Sequence, residues 1–175
     1  MPPQFDLELD PVSFITVGAA GPPGARTFFL QAAQGKRVVS LIIEKEQAVA
    51  LAASVQRLLA ALATRDPERV GKLEPSDANM DLLEPVRPEF RVTQLGIGVD
   101  DERQLIVLVA YERSEDEPGQ RAKLVATYEQ MLTLSRHTMD VVSQGRPICE
   151  LCGAPMDADG HFCPRRNGHD EVEQE

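Results

Sequence analysis

Near the start of the chain, three short runs rich in β-branched and aromatic residues are separated by glycine and proline turns. They are VSFITVGAA (12–20), ARTFFLQAA (25–33) and RVVSLII (37–43). Runs of this length and punctuation read as strands, and their succession predicts a three-stranded meander. From Glu46 the apolar period changes: Leu51, Val55, Leu58, Leu59 and Leu62 recur at helical spacing in an alanine-rich stretch that stops before Asp66-Pro67. This predicts a first main helix. Pro67, Pro75, Pro85 and Pro88, with acidic and amide residues between them, then predict a connection over 65–85 that has one helical turn near Met80.

The same order recurs further along. FRVTQLGIGV (90–99), QLIVLVAYE (104–112) and AKLVATY (122–128) predict three more strands, the first two joined by the acidic turn Asp100-Asp101-Glu102. A second helix follows, with Met131, Leu134, Thr138 and Val141 on one face and a stop at Gly145-Arg146-Pro147. When LIIEKEQAVALAASV is laid over LVATYEQMLTLSRHT, Glu46-Gln47 falls on Glu129-Gln130 and Leu51 on Leu134. Residues 1–64 and 86–145 thus read as two loosely repeated β-β-β-α units. The expected fold class is α+β, with antiparallel strands, two main helices and a small C-terminal metal knuckle.

Composition narrows the class. With 175 residues and 42% hydrophobic positions, the chain suits one ordinary domain with a small appendage. No run of eighteen apolar residues occurs, and MPPQFDLELD lacks the basic head and apolar stretch of a secretory signal. A cytoplasmic protein with no membrane partner is expected. The formal charge of -10, from 28 acidic and 18 basic residues, repels phosphate backbones and makes nucleic acid an unfavoured partner. The acidic stretch SEDEPG (114–119) reads as a solvated loop, and DEVEQE (170–175) as a frayed tail.

The chemistry gathers in CELCGAPMDADGHFCPR (149–165), which holds all three cysteines. An odd number of thiols fits a disulfide framework poorly, whereas a reducing compartment leaves them free for metal. Cys149-x-x-Cys152-Gly153 has the form of a zinc knuckle, in which a tight turn aims two thiolates at one point. His161 and Cys163 complete a tetrahedral Cys3His set, and His169 is an alternative fourth ligand. The knuckle is placed at 146–169. A redox CxxC would stand at a strand-to-helix junction of a thioredoxin-like pattern, but this one follows the last helix. Catalytic zinc needs an open position and a carboxylate base. Four donors already fill the sphere, and the H-x-E of zinc deaminases is missing at His137-Thr138-Met139. The zinc is therefore expected to be structural.

Two other features carry less. GAAGPPGART (18–27) looks like the start of a phosphate loop, yet it lacks the Gly-Lys-Ser/Thr ending and runs into the Phe28-Phe29 strand rather than a helix. His137 has no identifiable nucleophile beside it in sequence.

The opening FDLELDPVSFITVGAAGPPGARTFFLQA, the later PEFRV and the ending CELCGAPMDADGHFCPRRNGH together resemble a bacterial family of unknown function, domain of unknown function 3090. Family members carry a C-P-x-C-G-x-P knuckle followed by G-H-x-C-P-R-x-N-G. This chain agrees at Cys149, Cys152, Gly153, His161 and Cys163, and departs at Glu150 and at His169, where an aromatic is common. The resemblance implies His161 rather than His169 as the fourth ligand and brings no catalytic residue.

The reading that follows is a non-catalytic interaction or regulatory protein whose zinc fixes a recognition loop for a protein partner. Arg146, Arg165 and Arg166 flank that loop, offset by Glu150, Asp157 and Asp159. The alternatives are a nucleic-acid-associated zinc ribbon and an enzyme acting on a phosphorylated metabolite.

Overall fold

The computed structural model describes residues 2–22, 24–144, 149–154, 156 and 161–167. Its first half runs β1 (Leu7–Leu9), β2 (Phe14–Ala20), β3 (Thr27–Gln34), β4 (Arg37–Ile43) and α1 (Lys45–Arg65). The second half repeats that order as β5 (Pro88–Arg91), β6 (Gln94–Asp100), β7 (Leu105–Tyr111), β8 (Arg121–Thr127) and α2 (Tyr128–Gln144). A four-residue helix, α3 (Pro164–Asn167), lies in the C-terminal segment.

The fold is mixed α+β, with two four-stranded sheets and two main helices. Pairing is antiparallel within each meander, β2-β3-β4 and β6-β7-β8. Each sheet is completed, however, by a parallel edge strand from the other half: β1 pairs with β8, and β5 pairs with β4. The expected all-antiparallel pairing therefore gives way to mixed sheets. The single strand expected over 90–99 is also two strands in different sheets, because the chain crosses from one sheet to the other at Val92-Thr93.

The two crossings are held alike. After β1, the Val12 N–H donates to Val125 O at 2.8 Å; after β5, the Val92 N–H donates to Ile42 O at 2.8 Å. The next residue in each case bonds by both its amide and its hydroxyl, Ser13 to Ala33 O and Thr93 to Tyr111 O. A glutamine at the third position of each helix then ties the crossing to a helix start. Gln47 accepts from the Glu44 amide at 2.7 Å and donates to Val92 O at 3.1 Å; Gln130 accepts from the Thr127 amide at 2.8 Å and donates to Val12 O at 3.3 Å. Each glutamine satisfies an amide at its helix start while binding the arm that arrives from the opposite half.

Apolar burial follows the same exchange. The helices pack on one another, α2 also packs on β2, and α1 on β6, so each helix covers the other half's meander. Leu9, Leu30, Leu41, Ile106, Leu108, Leu124, Met131 and Leu134 join one buried cluster drawn from both sheets and both helices. α1 is long and apolar enough to cross a membrane, but its Leu51, Val55, Leu59 and Leu62 stripe is buried in this cluster.

The connection after α1 makes turns at 67–72 and is then without helix; the helical turn expected near Met80 gives way to irregular chain, in which the Asp81 amide donates to Asn79 Oδ1 at 2.9 Å. This segment straps the outer face of the β2-β3-β4 sheet. Thr16 Oγ1 donates to Met80 O at 2.5 Å, while the Gln31 carboxamide accepts from the Leu83 amide at 2.7 Å and donates to Leu83 O and Ser40 Oγ, each at 3.0 Å. Gln31 is fully buried, so its amide does for the strap what a neighbouring strand would do. Replacing it with apolar Met leaves the Leu83 groups without partners. Gln31→Met is expected to lower unfolding free energy by about 1–3 kcal/mol in chemical denaturation, and to speed hydrogen exchange at the Leu83 amide.

A charged network brackets β1. Arg103 binds both carboxylate oxygens of Asp10, at 2.6 and 2.9 Å, and Lys123 reaches Glu8 at 3.1 Å. The Arg103 hydrogen bond, offset in part by burial, holds the Asp10 carboxyl below its ordinary value of 3.8. A carboxylate lowered on folding stabilises the fold above that ordinary value and loses the contribution as pH falls through the lowered one. Asp10→Asn is expected to unfold with a shallower pH dependence below about pH 4 than the parent, measured by circular dichroism across an acid titration.

Candidate metal centre

Cys149 and Cys152 stand on a tight turn. The Gly153 amide donates to Cys149 O at 2.8 Å and the Cys149 amide to Ala154 O at 2.9 Å. Gly153 has φ +74°, the left-handed region that side-chain-bearing residues rarely adopt, which explains a glycine directly after the second cysteine. His161 and Cys163 come back over this turn, and α3 braces it from outside, with Arg165 Nη1 donating to Leu151 O at 2.9 Å.

The turn and the returning segment bring four donors together. One ligand atom each from Cys149, Cys152, His161 and Cys163 lies within 4.8 Å of the other three. Cys149 Sγ is 3.9 Å from Cys163 Sγ, and Cys152 Sγ is 3.2 Å from His161 Nε2. With metal bonds of about 2.3 Å to sulfur and about 2.0 Å to nitrogen, a tetrahedral zinc site has edges of roughly 3.8 Å between sulfurs and 3.5 Å between sulfur and nitrogen. The sulfur pair sits at that edge, and the mixed pair is drawn slightly closer. All three cysteines are free thiols. Cys149 and Cys163 are buried, Cys152 and His161 half-buried. Thiolates this close repel one another unless a cation or protons lie between them, and the soft donor set suits zinc.

Local electrostatics separate the first two thiols. The backbone amides of Cys152 and Leu151 hold Cys149 below its ordinary value. The Ala154 amide alone would lower Cys152, but desolvation and the neighbouring Cys149 and Cys163 sulfurs outweigh it and push that thiol up.

His169, the alternative fourth ligand, lies outside the described residues, as do Arg146, Asp157, Asp159 and the tail 170–175. Glu150 is exposed and forms no part of the four-donor group. Arg165, expected to face a partner, is exposed but spends one donor on Leu151 O. Sequence spacing gave no sign of what alternates with the ligands: Leu151 is 49% exposed and Phe162 77% exposed.

The other sequence candidates are placed elsewhere. GAAGPPGART runs from the end of β2 to the first residue of β3, so among the described residues it leads into a strand and not into a helix terminus that could cradle an anion. Arg26 donates to Val141 O at 3.1 Å and lies 5.0 Å above the Phe28 ring, so it joins the turn to α2. His137 is half-buried on α2 and lines an open cleft of about 320 Å³ with Arg26, Asp81 and Glu84, far more polar than the core but without a nucleophile among these residues.

Residues 7–163 match the model of a family described as protein of unknown function, DUF3090. The chain belongs to the DUF3090 family. The matched span takes in Cys149, Cys152, His161 and Cys163 and ends before His169. Neither the curated proteins nor the solved structures give a match to this DUF3090 chain.

Proposed function

We propose that this DUF3090 protein is a non-catalytic interaction or regulatory protein of the cytoplasm, in which Cys149, Cys152, His161 and Cys163 hold one structural zinc ion. The observation that carries the reading is the convergence of four donor atoms, all within 4.8 Å of one another, on a segment with little apolar packing of its own. Four protein ligands close a tetrahedron and leave no position for substrate or activated water, which favours a structural over a catalytic ion. Zinc bound there contributes folding energy to the loop directly. Leu151 and Phe162, each between two ligands, are then presented outward on a rigid frame, a surface suited to a protein partner rather than to the polyanionic backbone of nucleic acid. The charge of -10 supports the same preference, and three free thiols are at home in a reducing compartment.

Elemental mass spectrometry of natively purified, reduced protein is expected to give one zinc per chain. The zinc is expected to be lost or strongly weakened in His161→Ala and retained in His169→Ala. Chelation of the parent is expected to raise the thiols titratable under native conditions to three. Protein kept reduced throughout that carries no zinc would sink the reading and return the three cysteines to redox chemistry.

A further inference from the structure

The two sheets are built alike but covered differently. In the first sheet every residue of β3 from Phe28 to Ala33 is buried, because the strap lies on the outer face while the core covers the inner one. In the second sheet the equivalent middle strand, β7, alternates: Ile106, Leu108 and Ala110 are buried toward the core, whereas Val107, Val109 and Tyr111 are left half-exposed on the outer face. The repeat relates the two faces residue by residue. Val92-Thr93 make the contacts of Val12-Ser13, a spacing of 80 residues, and the same spacing sets Gly98 on Gly18. Gly18 pairs in register with Phe29, and Gly98 with Val107.

The glycines decide what the bare face is for. At Gly18 an added Cβ would stand 2.8 and 2.9 Å from the two Leu82 methyl carbons, so glycine there makes room for the strap's leucine. At Gly98 nothing lies within 4 Å of that position, and the residue is exposed. Neither Gly96 nor Gly98 has a positive φ, so the backbone does not call for glycine at either place. The space that the strap fills on one sheet is thus kept open on the other.

The entry route is duplicated as well. The strap reaches the first sheet through a groove between α2 and β2, where the Ser76 amide donates to Thr133 Oγ1 at 2.9 Å. Between α1 and β6 lies the matching groove, about 290 Å³, lined by Gln47, Ala50 and Ser54 on the helix and by Thr93, Leu95 and Gly96 on the strand side. The residues that follow α2 are unlike the apolar strap: they comprise the Cys/His cluster and the acidic DEVEQE, which has one apolar residue.

We propose that the groove between α1 and β6 and the outer face over Gly96, Gly98, Val107 and Val109 bind an extended peptide segment of a partner protein, which takes the place that residues 76–83 take on the first sheet. The partner segment is apolar and uncharged along its contact, with a leucine-sized side chain over Gly98. Val109 occupies the position of Gln31, so no buried carboxamide is available to grip the peptide backbone, and affinity comes from side chains. The nearest cation on the face, Lys123, is already paired with Glu8 and Asp10, which gives no pull on an acidic peptide. The inference goes beyond the metal reading and needs no ion at the C-terminal cluster.

The test uses the full chain with labelled Ile, Leu and Val methyls, observed by NMR during titration with two synthetic peptides. One has the sequence of residues 76–85; the other is the same peptide with Asp81→Val and Glu84→Val. Saturable shifts at Val107, Val109 and Ile97 with the apolar peptide, weaker with the acidic one, are expected. Gly98→Leu, which fills the space, is expected to weaken that binding at least about tenfold, with the far-ultraviolet spectrum unchanged. Val107→Thr, nearly the same in shape, is a second variant should Gly98→Leu misfold, and is expected to weaken binding in the same direction. No saturable shift at millimolar peptide, or parent-like binding by a folded Gly98→Leu protein, would overturn the proposal. So would light scattering that gives a dimer for the free parent and a monomer for Gly98→Leu, because a second copy would then be the occupant.

Discussion

Two glutamine side chains carry the constraint on which the architecture rests. Gln47 and Gln130 each close a helix start and, with the other end of the same carboxamide, hold the arm that has come from the opposite half. A helix cap alone contributes on the order of 1 kcal/mol, and so does a single hydrogen bond to an arm. Joined in one side chain, the two events become conditional on each other: the helix begins where the arm ends. The parallel arm strands, only three and four residues long, gain from this what they lack in length. Since α1 and α2 then cover each other's meanders, neither half has a complete core of its own.

The connection between the halves is part of the architecture rather than a tether. Its prolines prevent helix and strand ladders, yet its backbone is satisfied by Thr16, Gln31 and Thr133, side chains that sequence patterning would place on a solvent face. A buried glutamine in the middle of a strand is costly unless every polar atom finds a partner, and here the strap provides them. The difference between the two sheets follows directly. One turns both faces inward, and the other leaves the outer side of β6 and β7 half-exposed, with Val125 of β8 buried and the Arg103, Lys123, Glu8 and Asp10 network beside it.

Much of this was legible in the sequence, for identifiable reasons. The six meander strands and both helices announce themselves by period and by turn residues, and laying one helix start over the other put Gln47 on Gln130, the pair that turned out to share a role. The arms were not legible. Leu7–Leu9 and Pro88–Arg91 are too short to show a period, and their partners lie in the other half. Residues 90–99 read as one strand because apolar alternation runs on through Val92, although the chain changes sheets there. The strap reads as a connection in the sequence, but its contacts depend on side chains far away along the chain. At the C-terminus, spacing points to Cys149, Cys152 and Cys163 with either His161 or His169, and the structure sets His161 among the three thiols, because that turn is governed by local chemistry. The outward placement of Leu151 and Phe162 needs the turn in three dimensions.

The exchange of arms also has a consequence in time. Leu7 pairs with Ala122, and Asp6 bonds to Arg121, 115 residues further along. On a ribosome that adds about 5–20 residues per second, the N-terminal arm emerges many seconds before β8 exists to receive it. For much of that interval the first meander lacks its fourth strand, β5, and throughout it lacks α2, the helix that covers it, so a nascent chain would expose apolar surface until almost the whole domain has been made. Folding of this protein is thereby deferred to the end of synthesis, and its exposure to chaperones is set by the distance between an arm and its partner.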